Sequence, residues 1–141
     1  MRAFAVMAGT CSPGELFATV YRIERLLASG GMGVVYVATH EPTGRRRALK
    51  IMSPTLMGSA IAYERFVLEA RVGSQIPSEH VIDVTDAGLD VSTGSPWLAM
   101  EFLDGETLTE RVERAGPLDH AAAIEVLVQM GHALGAAHAR G

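Results

Sequence analysis

The sequence has a single cysteine, Cys11. An internal disulfide and a cysteine-built zinc site are therefore excluded. Its five histidines form no H-x-x-x-H or H-E-x-x-H pair, so the helical zinc-hydrolase arrangement is absent too. No run of 18 uninterrupted apolar residues exists. The best stretch, 121–137, is broken by Glu125, Gln129 and His132, which argues against a membrane-spanning helix. Basic residues do not exceed acidic ones: 12 Lys and Arg face 16 Asp and Glu, a net charge of −4. That balance argues against a broad nucleic-acid-binding surface. It leaves room for a small phosphate ligand, which needs only a few local donors. The opening MRAFAVMAGTC has one Arg and too short an apolar run for a signal peptide, so a cytoplasmic location is expected.

What is present suits a folded α+β domain. The chain has 141 residues, 48% apolar and 20% charged, enough for one core. Residues 1–20 show no period and read as an irregular leader. From Tyr21 to Leu26 apolar and polar residues alternate, as in a half-buried strand. A glycine cluster follows, then the β-branched run Val34–Thr39, a turn at Pro42-Thr43-Gly44, and a third strand at Arg47–Met52. A helix is predicted over Ser59–Gln75, with Ala62, Phe66, Glu69, Ala70 and Gly73 on one stripe. Two further strands are predicted at Val81–Leu89 and Trp97–Phe102. Thr107 to Glu110 fits a capping box, and Asp119 fits the N-cap of a long final helix.

Three segments carry chemistry. Leu27-Ala28-Ser29-Gly30-Gly31-Met32-Gly33-Val34-Val35 is glycine-dense between two strands. Without Cβ atoms, such a loop lets several N–H groups approach an anion; it is equally a flexible hairpin turn. A dinucleotide fingerprint or a Walker phosphate loop would need a helix next, and a β-branched run follows instead. Ala48 and Lys50 share one strand face, leaving space for a flat ring with a cation beyond it. Lys50 also fits an ordinary exposed strand lysine. Glu69 interrupts an apolar stripe; such a charge is paired if buried and solvated if it sits at the stripe's edge. The third segment, Trp97–Gly105, is a strand running into a loop, whose unpaired backbone groups can bind a ligand edge or simply end the strand.

In this order the features resemble the bacterial branch of the eukaryotic-like serine/threonine protein kinases. YRIERLLASGGMGVVYVA is similar to that family's opening strands and glycine loop, and RALKIM to its third-strand lysine motif. ERFVLEARV is similar to its first large helix, PWLAMEFLDGETL to its fifth strand and hinge, and AHARG to the segment before the catalytic loop. The resemblance implies a kinase-like N-lobe over residues 21–103, a five-stranded antiparallel sheet with one large helix. Residues 104–141 would hold the hinge and the first, partial C-lobe helices. ATP is the implied cofactor. Leu27, Ala28, Ser29, Gly30, Gly31, Met32 and Gly33 would cover its phosphates, Val35 and Ala48 would flank adenine, and Lys50 would pair with Glu69 and touch the α- and β-phosphates. Met100 would be the gatekeeper, and the backbones of Glu101 and Leu103 would meet the adenine edge. Ala28 stands where the family has its first loop glycine.

Other parts of the family pattern are missing. The sequence contains no His-Arg-Asp and no Asp-Phe-Gly, and none of its five aspartates stands in either setting. Phosphoryl transfer needs those groups for the substrate proton and for magnesium, so no catalysis by this chain alone and no metal ligand within it are expected. The exposed apolar surface expected on helix 119–140 suggests a protein partner. A non-catalytic nucleotide-binding or interaction module, or a gene fragment, is the alternative reading.

Overall fold

The computed structural model describes residues 11–140; the first ten residues of the expected leader and Gly141 lie outside them. The strands are β1 (Leu16–Phe17), β2 (Tyr21–Gly30), β3 (Gly33–His40), β4 (Arg45–Met52), β5 (Val84–Leu89) and β6 (Pro96–Glu101). The helices are α1 (Ala60–Gln75), α2 (Leu108–Ala115) and α3 (His120–His138). The described chain divides into two compact units. One runs to Ser74 and resumes over Asp83–Phe102; the other joins Gln75–Ile82 to the residues from Leu103 onward.

The first unit is an antiparallel sheet of six strands in the order β1-β2-β3-β4-β6-β5, with α1 against one face. The pleat sorts its residues as the alternation predicts. Tyr21, Ile23, Tyr36, Leu49, Ile51 and Trp97 bury on one side; Ala48, Met52, Leu98 and Met100 bury on the other, against Phe66 of α1. Ser59 caps α1 by accepting the Ala62 N–H at 3.2 Å. β2 loses its alternation after Glu24 because two register shifts, at Ile23/Arg25 and Leu26/Ala28, bend it away from the core.

The expected irregular leader and five-stranded sheet differ from what forms. Residues 11–20 supply β1, whose Leu16 and Phe17 pair with Arg22 and Tyr21 and add a sixth strand. Phe17 is buried edge-on against Trp97, with ring centres 6.2 Å apart. The β1–β2 turn places Ala18 and Thr19 at φ 45° and 66°, a left-handed conformation costing about 1 kcal/mol or more per residue. Phe17 burial and the bond from the Val20 N–H to the Phe17 carbonyl at 3.2 Å hold it. The Cys11 N–H donates to the Tyr36 hydroxyl at 3.0 Å, and burial pushes the Cys11 thiol up to about 11. Arg45 and Arg46 open β4 in solvent, with Arg46 paired to Glu24 at 3.0 Å.

In the second unit the capping box forms as read: the Thr107 hydroxyl takes the Glu110 N–H, and the Glu110 carboxylate takes the Thr107 N–H. Asp119 caps α3 through the Ala122 N–H at 2.8 Å. His80 stacks on His132 with ring centres 5.8 Å apart. Ile124, Leu127, Met130 and Leu134 on α3 are all more than half exposed. Among the described residues, no helix is long and apolar enough to cross a membrane.

Candidate functional site

The site assembles on the α1-facing side of the sheet. Across β3, β4 and β6 the register aligns Val35, Lys50 and Leu98 in one row and Val37, Ala48 and Met100 in the next. Val35, Ala48 and Met100 belong to one apolar cluster with Phe66. Glu69 follows Phe66 by three residues, so the buried ring that docks α1 also aims this carboxylate at the sheet. The Lys50 ammonium donates to both Glu69 oxygens, at 2.8 and 2.5 Å. The Lys50 side chain is only 16% exposed and that of Glu69 42%. Their net attraction is worth about 1 kcal/mol or less at such partial exposure. Losing the carboxylate would strand a largely buried cation, the costlier event.

The glycine hairpin lies beside this pair. Ala28 faces Val35, Ser29 faces Val34, and Gly30 faces Gly33, which leaves Gly31 and Met32 at the tip. Leu27 sits in the second register shift, 44% exposed. The glycines divide sharply. A Cβ on Gly30 or Gly31 would meet nothing within 4 Å, so both are open to a ligand's approach. Gly33 has φ +152°, and a Cβ there would stand 2.1 Å from the Ile51 carbonyl oxygen. Its lack of a side chain therefore serves the packing of β3 on β4, a role the sequence pattern did not disclose. The Met32 carbonyl accepts the Ser53 N–H at 3.1 Å, which ties the hairpin tip to the chain leaving β4.

At the other end of the row, β6 finishes at Glu101. Its N–H donates to the Asp83 carbonyl at 2.9 Å, and its carboxylate Oε1 accepts the Asp83 N–H at 2.8 Å. Leu103, 64% exposed, opens the second unit. A cavity of about 470 Å³ lies on another flank of α1, between it and β5 and β6, and shares no residue with the predicted set. Among the described residues no group of three His, Cys, Asp or Glu side chains could hold a metal ion, and no step is assigned to one. The open glycines and the ammonium held on the sheet face suit a polyphosphate, and the small side chains of Val35 and Ala48 suit a flat ring.

Residues 21–141 match the family described as protein kinase domain, and the chain belongs to that family. Similar proteins occur in bacteria. It is 40% identical over 121 residues to the serine/threonine-protein kinase Pkn1 of Myxococcus xanthus, covering 86% of this chain and 17% of that protein. It is 36% identical over 124 residues to the serine/threonine-protein kinase PknA of Mycobacterium tuberculosis, covering 86% and 29%. The crystal structure of the M. tuberculosis PknI kinase domain superposes with a TM-score of 0.79 at 29% identity, over 94% of this chain and 52% of that one. The chain thus spans less than a third of these curated relatives and about half of that kinase domain.

Proposed function

We propose that this chain is the ATP-binding portion of a serine/threonine protein kinase and does not transfer phosphate by itself. The carrying observation is the two-oxygen contact between Lys50 and Glu69 beside a glycine hairpin. Glu69 holds the ammonium in place for the α- and β-phosphates. The N–H groups around Gly30 and Gly31 close on the phosphates, where nothing obstructs them. Val35 and Ala48 flank adenine with Leu27 above, Met100 limits the depth of the pocket, and the backbones of Glu101 and Leu103 take the purine edge. The reading carries with it a cytoplasmic location, where ATP is available. The absence of His-Arg-Asp and Asp-Phe-Gly from these 141 residues supports the lack of turnover.

The test is binding of a fluorescent ATP analogue by the chain and by Lys50→Ala. Removing a charge-assisted phosphate contact should weaken binding about tenfold or more. Equal binding by both proteins would overturn the nucleotide role, and turnover of a generic protein substrate with Mg-ATP would overturn the inactivity. A second role as an interaction module is favoured by the exposed apolar side chains of α3; its occupant would be a protein partner rather than nucleic acid, given the net charge.

A further inference from the structure

A sulfur atom ties the loop between β4 and α1 to the β5–β6 turn. Met57 lies on that loop and is 40% exposed, whereas Ser95, at the end of the turn, is 3% exposed. Ser95 spends its main chain within the turn. Its carbonyl accepts the Asp90 N–H at 2.9 Å, and its N–H donates to Thr93 Oγ1 at 3.2 Å. Its hydroxyl has one acceptor among the described residues, Met57 Sδ at 3.5 Å. A Cβ on Gly94 would stand 3.6 Å from the Met57 methyl carbon, so the thioether lies over this turn. A thioether is a weak acceptor, and a buried hydroxyl left to it is poorly satisfied. The same loop takes the glycine hairpin by the bond from the Ser53 N–H to the Met32 carbonyl, and it runs into α1, the helix that carries Glu69.

We propose that Met57 is a reversible oxidation site, where hydrogen peroxide converts the thioether to a sulfoxide whose oxygen takes the Ser95 hydroxyl. A sulfur lone pair attacks one peroxide oxygen. The S–O bond forms as the O–O bond breaks, and sulfur gives two electrons to the peroxide. The proton of the transferred hydroxyl passes to the departing hydroxide, which leaves as water. Partial exposure lets the oxidant reach the sulfur, and the flexible side chain lets the new oxygen turn to the hydroxyl. A hydroxyl meets an oxygen acceptor at about 2.7–2.8 Å, and a bent approach to the sulfoxide leaves the sulfur about 3.5–4 Å from Ser95 Oγ. The sulfur stands at 3.5 Å already, so the product fits with little movement of the loop. Sulfoxide formation commonly disrupts packing, because it makes an apolar side chain polar. Here it gives a buried donor a stronger acceptor and fastens the loop to the turn. The effect does not depend on nucleotide binding.

The experiment treats wild type, Ser95→Ala, Met57→Leu and the double variant with dilute hydrogen peroxide. Peptide mass spectrometry locates the sulfoxides, and thermal melting gives the change in Tm on oxidation. That change should be more favourable in wild type than in Ser95→Ala by about 2–5 °C, what one neutral hydrogen bond supplies in a chain this size. The difference should vanish between Met57→Leu and the double variant, which separates Met57 from every other oxidised side chain. Equal changes in wild type and Ser95→Ala, or a difference that persists without Met57, overturn the proposal. So does a Met57 left reduced while Met130, 53% exposed, is oxidised. A measurement without substitution guards against a variant that fails to fold. Amide exchange over residues 53–59 of wild type should slow on oxidation and recover with methionine sulfoxide reductases. Exchange that is unchanged or faster in the sulfoxide form overturns the proposal.

Discussion

Gly33→Ala and Gly31→Ala, two identical substitutions two residues apart, should do opposite things. At Gly33 the added methyl would lie 2.1 Å from the Ile51 carbonyl oxygen and 3.1 Å from the Met52 Cα, both backbone atoms. Relief needs a displacement of more than about 1 Å between paired strands, because apolar contacts sit near 3.5 Å or beyond. That displacement breaks the register pairing Gly33 with Met52 and Val34 with Ile51. A φ of +152° adds strain of about 1–3 kcal/mol for any residue with a side chain. Each ladder bond lost adds about 1 kcal/mol. The sum is about 3–5 kcal/mol, a fall in Tm on the order of 10 °C for a chain this size. At Gly31 nothing lies within 4 Å, so the stability change should stay within about 1 kcal/mol. Its methyl would instead stand between the hairpin backbone and a phosphate, and binding of the ATP analogue should weaken. Melting curves and analogue titrations on the two variants decide the matter. A Gly33→Ala protein that melts with the wild type would refute the packing role. A Gly31→Ala protein that loses stability as Gly33→Ala does would refute the division between the two glycines.

Gly88→Ala should destabilise by about 1–3 kcal/mol, because its Cβ would press to 2.8 Å from the Trp97 ring; with one tryptophan in the chain, its fluorescence reports the disturbance directly. Burial, helped by Asp86, pushes the Tyr21 phenol up to about 12, and its hydroxyl donates to the Asp86 carboxylate at 3.1 Å. A value raised by folding means that the neutral phenol is favoured in the native state. This contribution is whole below about pH 10 and fades as pH climbs through about 12. Urea midpoints across that window should fall less steeply for Tyr21→Phe than for wild type; parallel slopes would count against the contact. Cys11, raised to about 11, slopes the same way in both proteins. Leu127→Glu with Leu134→Glu should lower dye binding and self-association without changing Tm by more than a few degrees, since both side chains are more than half exposed; unchanged dye binding would show that α3 is not the adhesive face.

The parts legible in the sequence were those governed by short-range rules. Tyr21 and Ile23 announced their burial through alternation, and Thr107 and Asp119 announced two helix starts through capping chemistry. Glu69 was legible because a charge on an apolar stripe asks for a partner, and Lys50 supplied one. β1 escaped because two residues carry no period, and Phe17 enters a core cluster that includes a ring 80 positions away. β5 begins at Val84 rather than Val81 because the residues before it pack with the C-terminal helices instead of entering the sheet. The constraint on Gly33 and the exchange between Asp83 and Glu101 depend on partners 18 residues away, across strands whose register no local pattern sets.

The assignment of Gln75–Ile82 to the second unit has a practical consequence for anyone trimming this protein. The polypeptide passes from one body to the other after Ser74, returns at Asp83, and leaves again after Phe102. No single cut therefore releases the sheet unit intact. A product ended at Phe102 would retain His80 while discarding the imidazole it rests on, and eight residues would dangle from the middle of an otherwise finished body. Severing the chain within that segment instead would leave α1 joined to β1–β4 but break its covalent link to β5 and β6, so limited proteolysis there should loosen the sheet unit although its own core is untouched.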